Sequence, residues 1–182
     1  MKIGSVITLL RNATTKHLKK GEILIPAGAT GKDVFFIRKG LVRSYYWDNE
    51  KLEEITFQLY PEYNIIVNIH SVLFDEPSNF SYQAFEDTKV YKIDYNSMID
   101  LTSNNPDLLE INRRYIGRNA MRQAFKRVES FVFMSPEERY LKYMKDYPNV
   151  VNRTPDKYIA NVLGITPVSL SRIRNRLATK KK

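Results

Sequence analysis

The 182-residue sequence contains no cysteine and only two histidines, His17 and His70. The first absence excludes iron–sulfur clusters, zinc fingers, thiol redox chemistry and cysteine nucleophiles. The second leaves little imidazole for a metal centre or for acid–base catalysis. No metal and no cofactor is expected, and the chain is read as non-enzymatic. Adjacent carboxylates such as Glu53-Glu54 and Asp75-Glu76 do not alter this, because neighbours on a strand point to opposite faces and those in a turn are solvated. Long hydrophobic runs are missing too, so no membrane association is expected. The short apolar stretch after Lys2 places Ile3, Val6, Ile7 and Leu10 at helical spacing without a small-residue cleavage site, the pattern of an amphipathic helix rather than a secretory signal. A cytoplasmic location follows. With 43% hydrophobic and 12% aromatic residues, the chain has the composition of a globular protein with a real core.

The net charge of +9 is unevenly distributed. Residues 1–106 are nearly neutral, whereas beyond residue 149 Arg153, Lys157, Arg172, Arg174, Arg176 and Lys180 to Lys182 face only Asp156. A neutral body with a basic C-terminal head points to a polyanionic partner.

From Gly21 to about Ile93 the sequence reads as short strands broken by turn residues: Glu22–Ile25, Val34–Arg38, Leu41–Trp47, Leu52–Leu59, Asn64–Ile69, Asn79–Phe85 and Lys89–Ile93. Ile55, Phe57 and Leu59 alternate with Glu54, Thr56 and Gln58, which predicts one buried face. Many short strands at this spacing imply a sandwich or jelly roll. After Pro106 the period changes to that of a helix. Ile111, Tyr115, Arg118, Met121 or Arg122, Phe125, Val128 and Val132 recur at three- and four-residue steps through Phe133, a stripe long enough for a two-helix dimer seam. Ser135-Pro136-Glu137-Glu138 then carries the chemistry of a capped helix start.

Thr154-Pro155-Asp156 and Thr166-Pro167 read as two further helix starts, with Gly164 ending the helix between them. Ile159, Leu163, Ile165, Leu170 and Ile173 are apolar, and Ala160 is small where the helices must cross, which is helix-turn-helix spacing. On the second helix Leu170, Ile173 and Leu177 share one face; Val168, Ser171, Arg172 and Asn175 share the opposite one, free to enter a major groove. There Arg can pair with guanine and Asn with adenine. Pro167, Val168, Ser171, Arg172 and Asn175 are the expected base-reading residues. Lys157, Thr166, Ser169, Arg174 and Arg176 are the expected phosphate contacts.

Nearly the whole chain resembles the Crp/Fnr family of bacterial transcription regulators. The likeness rests on Lys20-Gly21-Glu22 with Gly28, on the run Val34 to Arg43, on Glu138-Arg139-Tyr140-Leu141, and on Tyr158 to Thr166 followed by Leu170-Ser171-Arg172. It implies an α+β chain in three parts: an N-terminal double-stranded β-helix (jelly-roll) sensor over residues 1–106, a dimerisation helix over 107–134, and an all-α helix-turn-helix domain over 135–182. The implied partners are double-stranded DNA read by a homodimer, and RNA polymerase. The chain departs from the cyclic-AMP-binding members. Where they carry a Gly-Glu pair and an Arg-Ser pair it reads Val67-Asn68-Ile69-His70 and Ser78-Asn79, so the phosphate-binding Arg and ribose-binding Glu are both missing. Val168 stands where members often have Glu, and the wing after the recognition helix is expected to be truncated or absent.

An unknown small-molecule effector remains open, with Phe57, His70, Ser78, Asn79, Tyr82, Arg118 and Arg122 as candidate pocket residues. Tyr45, Tyr46, Trp47 and Phe85 are further aromatics of the roll. Two alternatives stay beside this reading: an effector-independent regulator with a vestigial roll, and a small-molecule-binding module without specific DNA reading.

Overall fold

The computed structural model describes residues 11–103, 108–109 and 119–179. Within them, eight strands form two antiparallel sheets. The strands are β1 (Thr14–Leu18), β2 (Ile23–Ile25), β3 (Asp33–Lys39), β4 (Val42–Asp48), β5 (Glu53–Tyr60), β6 (Ile65–Val67), β7 (Ser81–Ala84) and β8 (Thr88–Asp94). One sheet runs β1-β8-β3-β6 and the other β2-β7-β4-β5. Alternation drives their packing: Phe35 and Ile37 of β3 point into the roll with Val42, Ile66, Tyr82, Ala84 and Val90, while Phe36 points out and stacks on Tyr91.

Helix α1 (Ile69–Phe74) lies between β6 and β7, and α2 (Tyr95–Ser103) follows β8. The C-terminal helices are α3 (Asn119–Phe133), α4 (Pro136–Asp146), α5 (Pro148–Arg153), α6 (Asp156–Leu163) and α7 (Pro167–Thr179). Ser135 caps α4 as its chemistry predicts: its Oγ accepts from Glu138 N, and Glu138 Oε2 accepts from Ser135 N at 2.8 Å. Tyr140, Ile159, Ala160, Leu163, Leu170 and Ile173 form the core of this helical head.

Several expectations are corrected. The run Asn64–Ile69 is a strand only through Val67. Asn68 then turns the chain into α1, so His70 sits on a helix, where Ile69, Val72 and Leu73 supply helical spacing that a short apolar run conceals. The Ile55, Phe57, Leu59 face of β5 is not buried as a unit in the roll, where only Phe57 reaches Phe80 at the edge of the core. Leu59 instead joins Leu41, Val150 and Val162 in a cluster between roll and head, while Tyr60 packs on the roll core and Thr56 is buried. The reason is that helices cover the outer side of β5. Thr154 does not cap α6 either; its Oγ1 is buried without a hydrogen-bond partner. The N-terminal helix of Ile3, Val6, Ile7 and Leu10 lies outside the described residues, as do Ile111, Tyr115, Arg118 and Lys180 to Lys182.

Gly40 joins β3 to β4 at φ +101°, and a Cβ there would lie 2.8 Å from Thr88 Cα and 2.9 Å from Asp87 O. Both obstacles are backbone and cannot swing away. Gly40→Ala is therefore expected to cost about 3 kcal/mol or more, read as a lowered Tm. Gly31→Ala, whose Cβ would meet only a carboxylate oxygen at 3.9 Å, should be near neutral in the same assay.

Candidate nucleic-acid interface

Helices α6 and α7 meet at a tight turn. Gly164 ends α6 in the left-handed region at φ +65°, and Ile165 N donates back to Ala160 O at 3.0 Å. Two residues later Thr166 Oγ1 accepts from Ser169 N at 3.1 Å and Pro167 opens α7. The fully buried Ala160 lets the helices approach, and Leu170 and Ile173 seat α7 on the head core. That orientation leaves Pro167, Val168, Ser171, Arg172 and Asn175 exposed on its far side.

The basic residues around this face differ in what they touch. Arg174 donates from Nε to Tyr140 Oη at 3.0 Å and pairs with Asp156 at 2.6 Å. Arg176 pairs with Glu137, and Lys157 with Glu53 of β5 at 3.0 Å. These three pairs are at least partly solvated and are worth less than about 1 kcal/mol each, so they can exchange a carboxylate for a phosphate at little cost. Arg172 has no ion pair or hydrogen bond among the described residues.

On α3 the residues Met121, Phe125, Val128 and Val132 are each more than half exposed. Their four-, three- and four-residue steps place them on one stripe that the described residues leave uncovered. Arg122 is also exposed on this helix.

The head is held against the roll by groups the sequence does not connect. Arg153 of α5 donates from Nη2 to Glu62 Oε2 at 2.6 Å, and from Nη1 to Glu62 Oε1 at 3.0 Å and Glu86 Oε1 at 2.7 Å. Phe85 meets Tyr158 edge-to-face at 4.9 Å, and Asn161 Oδ1 accepts from Thr56 N at 3.2 Å. The hydrogen bonds from Arg153 hold the Glu62 carboxyl below its ordinary pKa. A carboxyl lowered by folding contributes stability above its unfolded pKa and loses it as pH falls through the folded value. Arg153→Met should thus lower the melting temperature at pH 6 by an amount equivalent to about 2 kcal/mol, and this deficit should shrink as pH drops toward 3. A deficit that stays constant across the titration would contradict the assignment.

A model of the cyclic nucleotide-binding domain matches residues 15–105, half of the chain. The chain belongs to the cyclic nucleotide-binding domain family. Solved structures similar over nearly the whole length include FixK2 from Bradyrhizobium japonicum, 17% identical with a TM-score of 0.75 over 93% of this chain and 86% of that one. A CooA variant from Carboxydothermus hydrogenoformans is 18% identical with a TM-score of 0.71, covering 95% of this chain and 79% of that one. A transcriptional regulator of the crp/fnr family from Eubacterium rectale is 15% identical with a TM-score of 0.69, covering 99% and 85%. At these identities the likeness is one of fold: a cyclic nucleotide-binding domain followed by a helical region arranged as in Crp/Fnr transcription regulators. A comparison with curated protein sequences finds no match. Among the described residues no helix is long and apolar enough to cross a membrane.

In this cyclic nucleotide-binding domain the β6–β7 segment is closed by its own side chains. Asn68 is fully buried and donates to Ala29 O at 3.0 Å; Ser71 Oγ donates to Glu76 O at 3.0 Å. Ser78 is buried and donates to Phe80 O at 2.7 Å, and Asn79 Nδ2 donates to His70 Nε2 at 3.2 Å. The charged residues between Asn68 and Phe80 are Asp75 and Glu76, and the neighbouring Lys32 is already paired with Asp75. Among the described residues of this segment no free cation stands ready to pair a cyclic nucleotide phosphate. The other pocket candidates are dispersed. Tyr82 is part of the packed core beside Tyr60, Phe57 lies between Phe80 at 4.7 Å and Arg127 at 4.4 Å, and Arg118 lies outside the described residues.

Sequence reading missed Arg127 and the contacts that Arg153 and Asn161 make with the roll. Arg153 is 91 residues from Glu62 and Asn161 is 105 from Thr56, separations at which no local pattern carries a signal.

Proposed function

We propose that this chain is a sequence-specific, DNA-binding transcription regulator of the Crp/Fnr type, acting as a homodimer on a two-fold symmetric operator. Residues 1–106 form the sensor roll, 107–134 the dimerisation helix and 135–182 the helix-turn-helix domain. The observation that carries the reading is the outer face of α7, where Arg172 stands exposed among Val168, Ser171 and Asn175 with no ion pair or hydrogen bond among the described residues. Arg172 is assigned to guanine, Asn175 to adenine and Val168 to a thymine methyl, with Pro167 and Ser171 completing the base-reading set. Thr166 and Ser169 at the start of α7, with Lys157, Arg174 and Arg176, contact phosphates. Two heads carried on paired α3 helices present two such faces, which is why the operator is symmetric. RNA polymerase is the further partner, and the protein acts in the cytoplasm.

Selection from randomised duplex DNA, using protein without added small molecules at near-physiological salt, tests this. Enrichment of an inverted repeat is the expected result; a dimer that enriches no sequence would overturn it. A second reading, a regulator whose roll no longer answers to an effector, is favoured by the closed, acidic β6–β7 segment.

A further inference from the structure

Arg127 stands apart from the other cations of the head. It lies on the inner side of α3, half-buried, with its guanidinium 4.4 Å over the Phe57 ring and 5.3 Å from Phe131. Those rings occupy its faces but accept none of its five N–H donors, and no carboxylate pairs with it among the described residues. Burial pushes its pKa down from the ordinary guanidinium value, yet it stays cationic. Its guanidinium nitrogens are not sealed from solvent, so their donors are available to an anionic acceptor entering from outside.

Arg127 opens onto a cleft of about 130 Å³ where three parts of the molecule meet: β5 through Gln58, α3, and the head through α4 and α6. Lys126 and Lys142 line the same cleft, and neither forms an ion pair among the described residues. Arg139 also lines it but is committed, donating to Leu163 O at 3.1 Å and Met134 O at 2.8 Å. Among the described residues that line it, the one carboxylate is Asp146, which is exposed and one turn beyond Lys142. Gln58, hydrogen-bonded to Gln123 at 3.4 Å, and the Ser130 hydroxyl add neutral polar groups.

We propose that this cleft is an anion-binding site for a small phosphoryl compound, held by Arg127 with Lys126 and Lys142. At about 130 Å³ it has room for a tetrahedral oxyanion, and because the cleft opens to solvent a substituent can project outward. Arg127 supplies a planar fork matched to two phosphate oxygens, and the lysines supply compact charge. The ligand touches roll, dimer helix and head together, so it stabilises whichever placement of the head brings these groups together. The site is separate from the closed β6–β7 segment and its existence does not depend on DNA reading.

The test is isothermal titration of the full-length protein, without DNA and at fixed ionic strength, with inorganic phosphate, glucose 6-phosphate and neutral glucose. Saturable binding of the two phosphates but not of glucose is expected, weakened by about tenfold or more in Arg127→Gln and in Lys142→Gln. Binding should be unchanged in Lys145→Gln, which removes an exposed charge from the same helix outside the cleft. Lys142 is only partly covered, so its variant decides the matter if Arg127→Gln does not fold. Tighter binding of glucose 6-phosphate assigns the site to an organic phosphate, and equal binding assigns it to the free oxyanion; either supports the proposal. No saturable binding, equal loss in Lys145→Gln, or competitive displacement of phosphate by a short duplex of arbitrary sequence would overturn it, the last by assigning these cations to the DNA footprint. Failure of the operator selection leaves this titration unaffected, so the two readings fail separately.

Discussion

Replacing Arg172 by alanine is expected to weaken binding to the selected operator by roughly two to four orders of magnitude while leaving the dimer intact. A bidentate base contact is worth about 1–3 kcal/mol, and a two-fold operator counts it twice. The side chain is exposed and makes no hydrogen bond or ion pair among the described residues, so its removal opens no buried cavity. Affinity for unrelated duplex should fall far less, because that term belongs to phosphate-facing cations. Titration of both duplexes by fluorescence anisotropy measures the ratio. Arg176→Ala provides the contrast: it should weaken all duplexes alike and flatten the salt dependence. An unchanged operator affinity in Arg172→Ala would remove α7 from the major groove.

Phe125→Glu is expected to convert the dimer to monomer across the micromolar range. Phe125 sits centrally in the exposed stripe of Met121, Val128 and Val132 and makes no ring contact within its own protomer among the described residues. In the proposed dimer, pairing two copies of α3 would bury two phenyl groups; the variant would lose about 1.5–3 kcal/mol of burial for each and set two carboxylates against an apolar seam, for a total near 5 kcal/mol or more. Sedimentation velocity reads the change in mass. The melting transition of the roll should hardly move, because its core of Phe35, Ile37, Val42 and Val90 does not include α3. A variant that still sediments as a dimer would relocate the interface to another surface.

What the sequence reveals about this fold depends on how local the physics is. The Ser135 capping box, the left-handed Gly164 and the Thr166 cap are legible because all their atoms lie within a few residues. Most strands are legible from alternation. β1 is not, since Thr14–Leu18 holds a single strongly apolar side chain and owes its strand to antiparallel pairing with β8. β5 misleads in a more instructive way: its apolar alternation is real, but the surface that buries Leu59 is a helical head about a hundred residues downstream. The candidate DNA face follows the same division. Its exposed residues come directly from helical periodicity, whereas the partners of Arg174, Arg176, Lys157 and Arg153 depend on tertiary placement. A basic segment that seems uniformly available in one dimension is, among its described residues, mostly engaged, with Arg172 standing out.

The hydrogen bond from Thr56 to Asn161 bears on solubility as well as on docking. β5 is the outer strand of its sheet, and such a strand displays backbone groups that another chain can adopt as a template. Here α6 lies along it, and a side-chain amide occupies a donor that strand addition would use. A head that swung clear of the roll would uncover both this donor and the greasy cluster around Leu59. The domain interface therefore doubles as a guard against intermolecular β-pairing, and variants that loosen it should reveal themselves by precipitation.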